Sequence, residues 1–200
     1  MGTRKIVMFN QVSADGFFSA PDGNLDWVVQ EPKVYQEAVG SLPQMDTMLF
    51  GRRTYDMFES FWPHALDDPT TAPDPHAPGK RSAQAREMAV WINESTKLVI
   101  SRTRKSVTWK NSKLLHDFDP RAIEAVKQES GGDIMVFGSG TIVAQLTQHR
   151  LIDDYLFIVM PVLLGKGRTL LESSDAHRGL RLLSAKSFDS GVVLLHYAPK

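Results

Sequence analysis

The sequence predicts an α/β fold in which a mostly parallel central sheet lies between helices and closes with an antiparallel hairpin. Three observations carry this. Ile134-Met135-Val136-Phe137 runs into Gly138-Ser139-Gly140-Thr141, and Ile142, Val143 and Leu146 follow at the spacing of a helix face, the pattern of a buried strand, a tight turn and a helix. Thr47-Met48-Leu49-Phe50 repeats the arrangement into Gly51-Arg52-Arg53-Thr54-Tyr55. Near the end the β-α alternation stops, and Asp189-Ser190-Gly191 joins two strand-like runs, Leu180 to Ser184 with Phe188, and Val192 to Tyr197, as a hairpin requires.

Taken in order, Ile6-Val7-Met8-Phe9 is a near-continuous apolar run, expected of a central strand covered on both faces. It ends at Asn10-Gln11. Val12 to Asp26 carries Asp15-Gly16, Pro21 and Asp22-Gly23, so it reads as a long loop with two turns. Phe17, Phe18 and Trp27 give that loop apolar surface, which either covers the sheet edge or lines a flat pocket. Pro32 to Leu42 reads as an amphipathic helix ending near Gly40. The segment 63–79 is rich in proline and cannot hold a helix or a central strand, which makes it an exposed loop. Its His64, Asp67, Asp68, Asp74 and His76 lack metal-ligand spacing, so no metal is assigned. Arg81 to Glu94 is the next helix, Leu98-Val99-Ile100 a strand ending in Ser101-Arg102-Thr103, Lys113 to His116 a short strand, and Pro120 to Glu129 a helix opened by proline. Tyr155 to Val159 is strand-like, and Pro161 to Gly167 is a loop, either a connector or a nest for a substrate anion.

Composition narrows the function classes. The chain has 200 residues with 42% hydrophobic content, enough for one domain spanning 1–200 that buries about 70% of its unfolded surface. Lys plus Arg equals Asp plus Glu at 23 each, so overall charge draws the protein to neither nucleic acid nor membrane. With no cysteine there is no disulfide, thiol nucleophile or cysteine-ligated zinc, which fits a reducing cytoplasm. The longest apolar run, Tyr155 to Leu164, is too short to span a bilayer.

The strand ends carry the chemistry. Gly138 and Gly140 permit close backbone approach, and the free amides of a helix start suit a phosphate; a plain turn that binds nothing fits the same residues. A dinucleotide fingerprint would want a glycine at Val143, and a hydrolase elbow would want glycines at Phe137 and Thr141. Arg52, Arg53 and Thr54 form a second set of donors for anionic oxygens, and Ser101 and Arg102 a third. Ligands of open α/β sheets bind beyond the carboxyl ends of strands, so the shared ligand is expected to be an adenine nucleotide with an extra phosphate.

Met48 to Tyr55, Val99-Ile100-Ser101-Arg102 and Val136 to Gly140 resemble, in order, the three cofactor segments of dihydrofolate reductases. Ser13-Ala14-Asp15-Gly16-Phe17, Leu151-Ile152-Asp153-Asp154 and Pro161-Val162-Leu163-Leu164-Gly165-Lys166-Gly167 are similar to the reductase domain of the bacterial riboflavin deaminase-reductase and its free-standing relatives. The resemblance implies a dihydrofolate reductase-like three-layer fold, a homodimer, and NADPH held by Gly51, Arg52, Arg53, Thr54, Ser101, Arg102, Gly138, Ser139, Gly140 and Thr141. It implies hydride transfer to a carbon–nitrogen double bond or sugar-imine of a pterin- or pyrimidine-like small molecule. Asn10, Phe17, Trp27, Gly165 and Lys166 would line the substrate pocket, with Asp15, Asp26 and Glu31 as candidate proton donors. In dihydrofolate reductases an acidic residue shortly after the loop tryptophan anchors the pterin; here Trp27 is followed by Val28, Val29, Gln30, Glu31 and Pro32. Only Glu31 comes near, out of register, which counts against folate itself. A non-catalytic nucleotide-binding or sensing protein on the same fold is the alternative.

Overall fold

A computed structural model describes residues 3–29, 31, 33–34, 37, 44–65, 83–171 and 178–200. The strands are β1 (Ile6–Ser13), β2 (Met45–Gly51), β3 (Thr96–Ile100), β4 (Ser112–Leu115), β5 (Asp133–Phe137), β6 (Asp154–Met160), β7 (Leu180–Ser187) and β8 (Val193–Pro199). The helices are α1 (Arg52–Phe61), α2 (Ala83–Glu94), α3 (Pro120–Gln128) and α4 (Gly140–Gln148), with a 3-10 turn at Trp62–His64. One 8-stranded sheet runs in the order β4-β3-β2-β5-β1-β6-β8-β7. The pairs from β4 to β6 are parallel, whereas β6–β8 and β8–β7 are antiparallel. The expected α/β class, parallel core and closing hairpin are all present.

Alternation along β1 builds both sides of the core. Ile6 and Met8 face one side with Ile134, Val136, Ile123 of α3 and Ile142, Val143 and Leu146 of α4. Val7 and Phe9 face the other with Met135, Ile158, Val34, Trp27 and Trp91. Burial of each large apolar side chain contributes about 1.5–3 kcal/mol, so a strand apolar on both faces is stable only between two helical layers. A further cluster joins Phe50, Tyr55 of α1, Ile92 of α2, Val99 and Trp109.

Several expected boundaries move. β1 continues past Phe9 to Ser13, because β6 supplies backbone partners from Asn10↔Phe157 to Ser13↔Met160; the loop expected from Val12 begins only after Ser13. The helix expected over 32–42 lies largely outside the described residues, with Lys33, Val34 and Glu37 helical. Most of the 63–79 loop also lies outside them, and so do the first two residues of the helix expected from Arg81. β3 starts earlier than expected and includes Lys97, which is 0% exposed. Its ammonium donates to the Asn93, Ser95 and Lys110 carbonyls at 3.0, 2.8 and 3.2 Å and lies 4.4 Å from the Trp109 ring centroid. Lys97 thereby closes the carboxyl end of α2, and burial pushes its pKa down to about 8.

Candidate functional site

Because β3, β2, β5 and β1 are parallel neighbours, their carboxyl ends open on one edge of the sheet. That edge gathers Ser101 and Arg102, Gly51 to Thr54, Gly138 to Thr141, and Asn10. The two glycine turns touch directly. A β-carbon at Gly51 would lie 2.1 Å from Ser139 Oγ, and one at Gly138 would lie 3.3 Å from Asn10 Nδ2 and 3.6 Å from Thr54 Oγ1. Gly138 and Ser139 both adopt the left-handed region, φ 59° and 61°, which costs nothing at glycine but strains a serine.

Neither α1 nor α4 has a side-chain cap or an acidic residue in its first turn, so their first amides are left for a ligand or solvent. In the first turn of α1, Arg53 is exposed, and Arg52 is 45% exposed with Asp56 at 3.1 Å. Arg102 is 75% exposed and sits 3.2 Å from Asp117. Ser101 is buried and its Oγ accepts from the Thr103 and Arg104 amides at 3.2 and 3.0 Å, shaping the turn. Asn10 is 7% exposed, and its Oδ1 is buried with no hydrogen-bond partner; an orphaned acceptor of this kind costs about 1–3 kcal/mol until a donor reaches it. Ser19 Oγ, on the neighbouring loop, is orphaned too. Exposed cations, uncapped helix starts and an unpaired amide oxygen on one edge are a donor and acceptor set that fits a phosphorylated dinucleotide.

Gly140 faces a loop of the protein itself. A β-carbon there would stand 3.0 Å from Phe18 Cε1 and 3.1 Å from the Thr169 carbonyl. Its bareness admits the protein's own loop, and a valine at this position would collide with that loop and cost stability. The nest expected at Pro161 to Gly167 also differs. The loop does bind an anion, and the anion is Asp15: Leu164 N and Gly165 N donate to its carboxylate at 3.1 and 2.7 Å, and Ser13 Oγ donates at 2.6 Å. The Ser13 hydroxyl and these amides hold the Asp15 carboxyl below its ordinary pKa, the wrong direction for a proton donor near neutrality. Lys166 is exposed beside this contact.

The other expected acids are also committed. Asp26 accepts from Asn24 Nδ2 at 2.7 Å within its turn. Ser190 of the closing hairpin, and then the Lys33 amide at 3.1 Å, pull the Glu31 carboxyl below its ordinary pKa. Phe17 and Trp27 are half-buried, and Trp27 Nε1 donates to the Asn24 carbonyl at 3.1 Å. Among the described residues no group of three or more His, Cys, Asp or Glu is placed to hold a metal, and no helix is long and apolar enough to cross a membrane. A hollow lined by Arg121, Lys127, His149 and Arg150 lies near Thr3 and Leu151, which precede β1 and β6, at the opposite edge from the turns.

Sequence reasoning missed Arg104. Its guanidinium donates to Asp56 at 2.6 Å and Glu59 at 2.7 Å and lies 4.8 Å from the Tyr55 ring centroid. Burial pushes Glu59 up, but the hydrogen bonds from Arg104 and Tyr55 outweigh it and hold the carboxyl below its ordinary value.

The family model described as RibD C-terminal domain matches residues 4–194. The uncharacterized protein YyaP of Bacillus subtilis is 25% identical over 194 residues, covering 97% of this chain and 94% of YyaP. A putative riboflavin biosynthesis protein from Shewanella sp. PV-4 superposes with a TM-score of 0.71 at 20% identity, over 98% of this chain and 99% of that one. Dihydrofolate reductase from Enterococcus faecalis, complexed with NADP(H) and RAB-propyl, superposes with a TM-score of 0.64 at 11% identity, over 100% of this chain and 98% of that one.

Proposed function

The chain belongs to the RibD C-terminal domain family, and on that premise we propose that it is an NADPH-dependent reductase of a pterin-, pyrimidine- or imine-type small molecule. The observation that carries the reading is the convergence of the Gly51–Thr54, Ser101–Arg104 and Gly138–Thr141 turns on one sheet edge, beside the unpartnered Asn10 Oδ1. NADPH, when bound, supplies the hydride. Arg52, Arg53 and Arg102 would hold its phosphates, and the open amides of α1 and α4 would add to that hold. Gly138 lets the backbone come close, and Asn10 Oδ1 would accept from an amide or amino group of cofactor or substrate. Phe18 against Gly140, and the Asp15 tie to Leu164 and Gly165, keep two loops packed beside the neighbouring edge. With Asp15 and Glu31 stabilised as carboxylates, the accompanying proton comes from water in this reading, and Asp15, Asp26 and Glu31 act as structural ties.

The committed state of those three acids also favours a second reading, a nucleotide-binding or sensing protein without turnover. NADPH oxidation against dihydropteridines, pyrimidine ribosylamines, and simple imines and ketones separates the two. Turnover of one class is expected; tight NADPH binding with no turnover on any would leave the sensing role. Riboflavin biosynthesis in the cytoplasm is the pathway and place this reading favours. A homodimer goes with it, built on β6 and the hairpin, where Leu182 and Leu183 of edge strand β7 are 51% and 41% exposed. Light scattering that gives a monomer at all concentrations would refute the dimer.

A further inference from the structure

We propose that Arg104 is a positioning residue that sets the preference for a cofactor carrying an extra phosphate, by fixing Arg52 and Arg102 relative to each other; the proposal rests on the NADPH reading above. Arg104 belongs to the turn that carries Arg102. Its amide donates to Ser101 Oγ at 3.0 Å, and its Nε donates to the Ser106 carbonyl at 3.1 Å. Its side chain crosses to the helix that carries Arg52. There Nη1 reaches Asp56 Oδ1 at 2.6 Å and Nη2 reaches Glu59 Oε2 at 2.7 Å, while the other oxygen of Asp56 accepts from Arg52 Nη1 at 3.1 Å. The result is a continuous chain from the Ser101 turn through Arg104 and Asp56 to Arg52.

Glu59 is fixed further by Tyr55 Oη at 3.0 Å and Thr108 Oγ1 at 3.2 Å, and Tyr55 Oη also reaches Ser112 Oγ on β4 at 3.1 Å. Arg104 is 22% exposed, against 45% for Arg52 and 75% for Arg102. Its forks are committed to the protein, while the two outer arginines each make one ion pair, with Asp56 and Asp117, and remain far more exposed. Without Arg104, Glu59 would lose its cationic partner and Asp56 would be left with Arg52 alone, free to draw Arg52 away from the phosphate position. A fork that bridges two carboxylates at once is specific to arginine, because a lysine offers one point of charge.

Binding of adenosine 2′,5′-bisphosphate and of adenosine 5′-monophosphate, measured by calorimetry, reads the extra phosphate apart from any chemistry. Wild type is expected to favour the bisphosphate. Arg104→Met should shrink that bias about tenfold, Arg104→Lys should shrink it less, and adding Asp56→Asn to Arg104→Met should recover part of it by removing a repelling charge. Equal loss of both nucleotides in a folded Arg104→Met protein would mark a merely structural role and overturn the proposal. So would an unchanged bias in Arg104→Met, or in Arg104→Lys should the methionine variant not fold. Equal binding of the two nucleotides by wild type would overturn the phosphorylated-cofactor reading and this proposal with it, whereas a wild-type bias that Arg104→Met retains overturns this proposal alone.

Discussion

Helices α1 and α3 begin in contrasting ways. At α3 the Asp119 side chain accepts from the Arg121 amide at 2.9 Å and proline fills the first turn, so the helix satisfies its own start. At α1, and again at α4, the first turn has neither side-chain cap nor acid, and at α1 two arginines stand beside the open amides. Such an end is less stable alone than a capped one, and an anion placed there recovers part of the loss. On the proposed reading, the difference separates a helix start built for the fold from starts left for a ligand.

Substitutions at the two kinds of start should therefore dissociate. Arg52→Ala is expected to weaken NADPH binding by about 1.5–3 kcal/mol and to leave unfolding within about 0.5 kcal/mol of wild type. Calorimetry and chemical denaturation check the two halves, and equal affinity of wild type for NADPH and NADH would break the comparison. Asp119→Ala should do the reverse, costing about 1 kcal/mol of stability with NADPH affinity unchanged. A separate effect concerns the opposite pole of a helix, the carboxyl end of α2 closed by Lys97. Burial holds Lys97 at about 8 against 10.5 for the free side chain, so between those values the unfolded chain binds more protons. Stability should then rise with pH across that window. Thermal unfolding of wild type and Lys97→Met from pH 7 to 10 checks it, the expected gain being absent in the variant.

Sequence revealed what local pattern encodes. The runs into Gly51 and Gly138, the proline start of α3 and the hairpin turn at Gly191 each carry their signal within a few residues. What it hid depends on distant partners. β1 reads as ending at Phe9 because the strand that extends it, β6, comes far later in the chain. The packing of Gly140 against Phe18 and Thr169 is invisible because both are remote from it in the chain. Asp15 reads as ordinary turn chemistry or a proton donor until Leu164 and Gly165 arrive beside it. Arg104 sits in irregular chain beyond β3, and nothing nearby announces Asp56 and Glu59 as its partners.

The central place of β1 has a consequence for how the molecule forms. Ile6 pairs with Ile134 and Val7 with Asp154, so the first of these eight strands in the chain has no neighbour in the sheet until the greater part of them has followed it. Closing so long a loop costs entropy before any contact rewards it, and such non-local pairings slow folding. Until then Ile6, Val7, Met8 and Phe9 are an unpaired apolar segment, the kind that attracts other chains or a chaperone. Insertion of β1 between β5 and β6 is thus a late event, and the edge that gathers Asn10 with the glycine turns comes into being only with it.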